Sequence, residues 1–265
     1  MRIKVIGYRI DHMKIVNEAR GLETYKEFVA SDGRKVALAT EHLIEVYVNK
    51  VLTMKLICTP DELDSLIVGR LYTEGITASA EEIVSLHICR FGARADVIID
   101  KQRDDQSSDN FIDTTPSCCT GNKLLNNLFG SDSLSPVTPI EYKDKWIYTL
   151  AKEFADATPL FLKTHSVHSA FLAQNGKTLY VSEDLGRHNA LDKVIGHALI
   201  DHVDLTQCIL FTSGRVPTDM AQKAIRGGVP ILVSKTVATD AAIELAKQYN
   251  LTLLLKARPD GYFSV

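Results

Sequence analysis

The sequence predicts an α/β protein in which a mixed, largely parallel sheet with flanking helices follows a smaller α+β N-terminal domain. Three observations carry this. Apolar runs alternate with helical patterns from residue 169 onward, an Asn-Gly turn opens that stretch, and an almost entirely polar tract at 101–110 separates it from the N-terminal half. With 265 residues and 45% hydrophobic content, the chain can bury one substantial core or two smaller ones, since domains commonly run about 100 to 200 residues. The expected divisions are an α+β domain over 1–110, a mobile cysteine-bearing loop with a short helix over 111–140, and an α/β domain over 141–265.

In chain order, Glu41 to Val48 and Val51 to Cys58 are rich in β-branched and apolar residues, and Asn49-Lys50 between them makes a hairpin. Thr59-Pro60-Asp61-Glu62 then reads as a helix start, with Thr59 as the cap and Pro60 at the first helical position. That helix should reach about Tyr72, with Gly75 beyond it and short strands at Ile83 to His87 and Ala95 to Ile99. The tract at 101–110 cannot bury enough apolar surface to order itself by packing. Cys118-Cys119 follows, then a short apolar stretch at Leu124 to Phe129 and a loop from Gly130 to Pro139. Ser169 to Gln174, Asn175-Gly176 and Lys177 to Val181 form a second hairpin. Next come a helix at His188 to Ile200, a strand at Cys208 to Thr212, a helix, a strand at Pro230 to Ser234, a helix at Thr239 to Tyr249 and a strand at Leu251 to Leu255. Apolar strands alternating with helices imply a sheet covered on both faces.

The net charge of -3, from 30 basic and 33 acidic residues without long runs of either sign, does not suit a surface that coats nucleic acid. The N-terminus lacks an uninterrupted apolar signal core, and no stretch approaches about 18 consecutive apolar residues, so neither secretion nor a membrane span is expected. Five scattered cysteines are no disulfide framework and suit a reducing compartment, hence the cytoplasm.

Polar residues concentrate at two strand ends. Ser182 to Lys193 places Asp184, Arg187, His188 and Asn189 where a strand gives way to a helix, the position at which open α/β sheets bind ligands. Helix starts also hold anions. A plain reading, with Asp184 capping the helix and its neighbours solvated, stands beside the binding one. Ser213-Gly214-Arg215, with Lys223 on the next helix, could form a second phosphate contact, since glycine admits close backbone approach and arginine offers a bidentate fork. His165 and His168 could converge on a metal, but no Cys-x-x-Cys or His-Glu pattern accompanies them, so no metal site is expected. The zinc deaminase signature is likewise absent. Cys118 and Cys119 pose the question of a nucleophile, because an accessible thiolate can carry a persulfide.

These residues also carry a family likeness. The runs Thr164 to Ala170 and Glu183 to Gly196 resemble the most distinctive stretch of the FdhD family of formate dehydrogenase accessory sulfurtransferases. Agreement continues through Thr212 to Arg215, Ala221-Gln222-Lys223 and Gly228 to Val233, and reaches back to Thr59-Pro60 and Glu74-Gly75-Ile76. The resemblance implies a cytidine-deaminase-like core. It implies sulfur delivery from a cysteine desulfurase to bis-molybdopterin guanine dinucleotide, the cofactor of formate dehydrogenase, with GDP-like nucleotides as mimics of its guanine end. It also implies a homodimer and makes Lys256, Arg258 and Gly261 cofactor-facing. Cys118 aligns with the first cysteine of the family's Ser-Cys-Gly-x-Cys-Gly-Lys loop, but Ser117-Cys118-Cys119-Thr120-Gly121-Asn122-Lys123 lacks the Cys-x-x-Cys spacing. A shifted alignment makes Cys119 the second. The alternatives are a cofactor-binding chaperone without sulfur chemistry and, last, a nucleotide-modifying enzyme suggested by fold alone.

Overall fold

The computed structural model describes residues 6–10, 13–19, 21–100, 114–115 and 134–265. The N-terminal part is a seven-stranded sheet built from β1 (Ile6–Ile10), β2 (Met13–Asn17), β5 (His42–Val48), β6 (Val51–Cys58), β7 (Ile83–Ile88), β8 (Arg94–Ile99) and β9 (Thr114–Thr115), in the order β1-β2-β7-β8-β5-β6-β9. A separate antiparallel pair, β3 (Tyr25–Val29) and β4 (Lys35–Ala39), lies outside it. Asn49 and Lys50 both take positive φ, 48° and 71°, which supplies the tight reversal expected between β5 and β6. Along β5 the buried and less buried positions alternate, so one face meets the core.

Helix α1 (Leu63–Thr73) begins later than Thr59 suggests. Glu62 sits in the left-handed region at φ 50° and no side chain caps the helix. Thr59 is instead fully buried, with its backbone N–H and hydroxyl both turned to the Asp184 carboxylate.

The C-terminal part contains α2 (Asp144–Asp156), α3 (Pro159–Thr164), β10 (His168–Gln174), β11 (Lys177–Asp184), α4 (Arg187–Ile200), β12 (Cys208–Thr212), α5 (Thr218–Arg226), β13 (Ile231–Ser234), α6 (Asp240–Gln248), β14 (Thr252–Arg258) and β15 (Gly261–Ser264). Its six strands run in the order β11-β10-β12-β13-β14-β15. Only β12–β13 and β13–β14 pair in parallel; the other three pairings are antiparallel. The sheet is therefore mixed more evenly than the sequence suggests, because a second hairpin, β14–β15, closes its far edge. Every residue of β12 and β13 is buried. Leu210 and Leu232 face α4, α5 and α6, whereas Ile209, Phe211, Ile231 and Val233 face α2. On that second face the Phe154 ring lies 4.5 Å from Phe171 and 4.7 Å from Phe211, centroid to centroid. Among the described residues no helix is long and apolar enough to cross a membrane.

Helices α1 and α4 join the two sheets at backbone contact. A Cβ on Gly69 would lie 1.9 Å from the Asp192 carbonyl oxygen, and one on Gly196 would lie 1.8 Å from that of Ser65. Gly196→Ala should therefore force the helices apart and lower stability by about 1–3 kcal/mol or more. Gly261→Ala, where nothing lies within 4 Å, should not; denaturant unfolding of both variants measures the difference.

Candidate functional site

Beneath the helix crossing lies a cluster of ionised side chains. Asp192 is fully buried and contacts Arg70 Nε at 2.8 Å and Lys223 Nζ at 2.9 Å. Lys223 Nζ also meets Glu74 at 2.7 Å, and Glu74 lies 3.1 Å from Arg70. Lys193, fully buried, reaches Asp184 and Asp61 at 2.9 Å each and the Thr59 hydroxyl at 2.7 Å. Asn189 ties the two halves together: its Oδ1 accepts from Arg70 at 2.6 Å, while its Nδ2 donates to Asp184 and to the Ile57 carbonyl at 2.8 Å each. Burial alone would raise the Glu74 carboxyl pKa, but Lys223 and Arg70 outweigh it and hold the group below its ordinary value. Burial pulls the Lys193 ammonium pKa down, and Asp184 with Asp61 more than reverses that.

Above this cluster, at the carboxyl ends of β12, β13 and β14, opens a cleft of about 520 Å³ lined by Phe161, His165, His168, Leu185, Ser213, Lys235, Thr236 and Arg258, among others. The described residues that line it include two cations and two imidazoles and no carboxylate. Ser213 is held by the neighbouring strand: its hydroxyl accepts the Ser169 N–H at 3.0 Å and sits 3.1 Å from His168 Nδ1. Burial, then Arg187 and His188, push the His168 pKa below its ordinary value. Burial and Arg258 do the same to Lys235. A Cβ on Gly214 would come within 2.9 Å of the Arg187 side chain, so glycine lets Arg187 lie across the strand end. One wall, α3, is anchored by Glu183, whose carboxylate accepts the Leu160 and Phe161 N–H groups at 2.8 and 2.7 Å. Burial raises the pKa of that carboxyl.

The sequence-derived candidates divide between these two levels. Ser213 and Arg258 line the cleft, and Gly214 and Arg187 pack directly behind it. Arg215 is exposed beside them. Asp184, Asn189 and Lys223 are buried in the charge cluster, and His188 is buried with Nε2 2.9 Å from Asp219. Asp184 does not cap α4; it accepts the Gly186 N–H and binds Thr59, Asn189 and Lys193. Lys256 is exposed at φ 52°, with its ammonium over the Phe263 ring, and Gly261 opens β15. Cys118 and Cys119 lie outside the described residues. Lys235 and Thr236 were missed, although they directly follow a strand anticipated at Pro230 to Ser234, so the same strand-end rule would have found them. His165 and His168, which the sequence offers as a metal pair and as part of the Thr164 to Ala170 run, both line the cleft. Among the described residues no group of three or more potential ligands converges on one point.

The fold and site define an α/β protein with a cationic cleft at the carboxyl ends of its parallel strands, the position at which open α/β sheets bind ligands. The chain belongs to the FdhD/NarQ family, which it matches over residues 39–264. Sulfur carrier protein FdhD of Listeria monocytogenes serotype 4b is 31% identical over 258 residues, covering 95% of this chain and 94% of the relative. The protein of the same name from Bacillus pumilus is 32% identical over 225 residues, covering 84% and 85%. A crystal structure from Desulfotalea psychrophila, provisionally designated a formate dehydrogenase accessory protein, superposes with a TM-score of 0.71 at 26% identity, over 91% of this chain and 94% of that one.

Asp192→Ala would leave Arg70 and Lys223 without their shared carboxylate. A loss of about 3–5 kcal/mol in denaturant unfolding is expected, whereas Asp32→Ala, which breaks an exposed pair, should change nothing measurable. Because the Glu74 pKa is depressed, its stabilisation is present above its ordinary value near 4.5 and lost as pH falls through the lower folded value. Glu74→Gln should flatten that acid limb of the stability profile.

Proposed function

We propose that this chain is an accessory sulfurtransferase that carries sulfur from a cysteine desulfurase to bis-molybdopterin guanine dinucleotide, the molybdenum cofactor of formate dehydrogenase. The observation that carries the reading is the donor-lined cleft at the strand ends. Lys235, Arg258 and Ser213, backed by Arg187, offer charge and hydrogen bonds to a phosphate-bearing end, while Phe161 and Leu185 offer apolar surface. Family membership, with relatives named sulfur carriers, supports the chemistry. On this reading the protein works in the cytoplasm as a homodimer and hands its cargo to the dehydrogenase.

The carrier step needs only thiol exchange. The Cys118 thiolate, or that of Cys119, attacks the sulfane sulfur of the desulfurase persulfide; the old S–S bond breaks, and the desulfurase thiolate leaves. Strand β9 ends at Thr115, three residues before Cys118, and pairs in parallel with β6 at Lys55 and Leu56. Its carboxyl end therefore points the same way as Cys58 and Thr59, which adjoin Asp184 under the cleft.

Two measurements test this. Incubation with a cysteine desulfurase and L-cysteine should add one sulfur, about 32 Da, to the peptide carrying Cys118 and Cys119, and the Cys118→Ala/Cys119→Ala double variant should lose the adduct. An unloaded wild type beside a loaded control acceptor would leave the carrier without sulfur chemistry, the reading favoured by the missing Cys-x-x-Cys spacing. Separately, Lys235→Ala and Arg258→Ala should each weaken GDP binding about 10- to 100-fold, since charge-assisted bonds contribute about 1.5–3 kcal/mol; unchanged affinity would place the anion elsewhere.

A further inference from the structure

His168 and Ser213 occupy the cleft wall in an arrangement that anion binding alone does not require. The imidazole is half-buried where β10 begins, with Nδ1 3.1 Å from the Ser213 hydroxyl oxygen. That oxygen already accepts the Ser169 N–H at 3.0 Å, so one lone pair and one proton remain. Both residues line the cleft. The hydroxyl can serve His168 in either protonation state by turning its proton. With a neutral ring, Ser213 donates to Nδ1, and the proton on Nε2 is the pair's one remaining donor. With a protonated ring, Nδ1–H donates to Ser213, the Ser213 hydroxyl proton is freed to donate elsewhere, and Nε2–H remains a donor. Protonation therefore adds a second available donor and a positive charge.

We propose that His168, positioned by Ser213, makes anion binding in the cleft proton-linked, so that the ligand is held tightly when the imidazole takes up a proton and weakly when it does not. The inference rests on the reading of this cleft as an anion site.

The surroundings set the direction. The charged and titratable groups around His168 are Arg187 and His188 on α4, Asp184 at the end of β11, His165 after α3, Lys235 after β13 and Arg258 on β14. Asp184 is fully buried and committed to Lys193, Thr59, Gly186 and Asn189, so the group is predominantly cationic. Burial and Arg187 depress the His168 pKa. A bound polyanion supplies the missing negative charge and raises it. Between the two values binding takes up as much as one proton, and affinity rises as pH falls, by up to about tenfold per pH unit. Below the lower value both forms are protonated and the dependence levels off.

The test is isothermal titration of GDP into the wild-type chain between pH 5.5 and 8, in buffers of different ionisation enthalpy, which reports protons taken up per ligand. The terminal phosphate of GDP titrates in the same range, so the readout is the difference between wild type and variants with the same ligand. Wild type should take up more protons than His168→Gln and show a steeper fall in affinity with rising pH. Ser213→Ala, which keeps the imidazole but removes its partner, should show an intermediate slope. Strong GDP binding with the same proton uptake in wild type and His168→Gln would overturn the linkage and leave the anion cleft standing. Absence of GDP binding to wild type at every pH would overturn both.

Discussion

Six ionised side chains, Arg70, Lys193 and Lys223 against Glu74, Asp184 and Asp192, are almost entirely removed from water where α1 crosses α4. Such a cluster gains little over apolar packing, because desolvation takes back most of what attraction supplies. Its effect lies in what it forbids. Sliding α4 along α1 by one turn, about 5.4 Å, would leave several buried charges without partners. The Gly69 and Gly196 contact forbids separation in the perpendicular direction, since neither backbone can retreat without opening a void. Charge complementarity fixes the register of the crossing, and the paired glycines fix its depth.

The same constraint reaches the cleft because α4 carries both. Lys193 lies in the second turn of α4 and turns back to Asp184, which precedes the helix. Asp184 in turn accepts the N–H of Gly186 and the amide of Asn189. The strand-to-helix corner is thereby tied from below, and Arg187 at its apex can lie across Gly214 rather than swing into solvent. A site assembled from five strand ends needs each end held to within a fraction of an ångström. Here the charge cluster holds the β11 end, while the Ser213–Ser169 pair of hydrogen bonds holds β10 against β12.

Much of this was legible in the sequence. Both hairpins, the β-α-β alternation and the strand-end positions of Arg187 and Ser213 follow from local pattern, whereas Arg258 comes only from the family resemblance, since the last predicted strand stops at Leu255 and β14 runs on to Arg258. Other features did not surface. Asp184, Asn189 and Lys223 look like ligand groups because a polar run at a strand end normally faces solvent; their partners Thr59, Arg70 and Glu74 lie more than a hundred residues earlier, and single-sequence periodicity does not report pairing over that distance. Helix α2 was available, since Ile147, Leu150, Ala151 and Phe154 recur at helical spacing and are the residues it buries. Strand β3 was not, because all five of its residues are exposed and no alternation of burial marks it.

Burial also bears on which thiol could carry sulfur. A carrier needs an accessible cysteine that ionises readily. Cys58 is fully buried beside Asp184, and burial drives its thiol pKa far above the ordinary range. Cys208 is buried on β12 and pushed up to about 12, again chiefly by burial. Neither can supply a thiolate near neutral pH without opening the core that it fills. Cys89 is half-buried in the turn between β7 and β8, in the N-terminal sheet rather than on the cleft wall. On the reading proposed above, Cys58 and Cys208 are therefore poor carriers, and Cys118 and Cys119 are the thiols to which the persulfide test is directed.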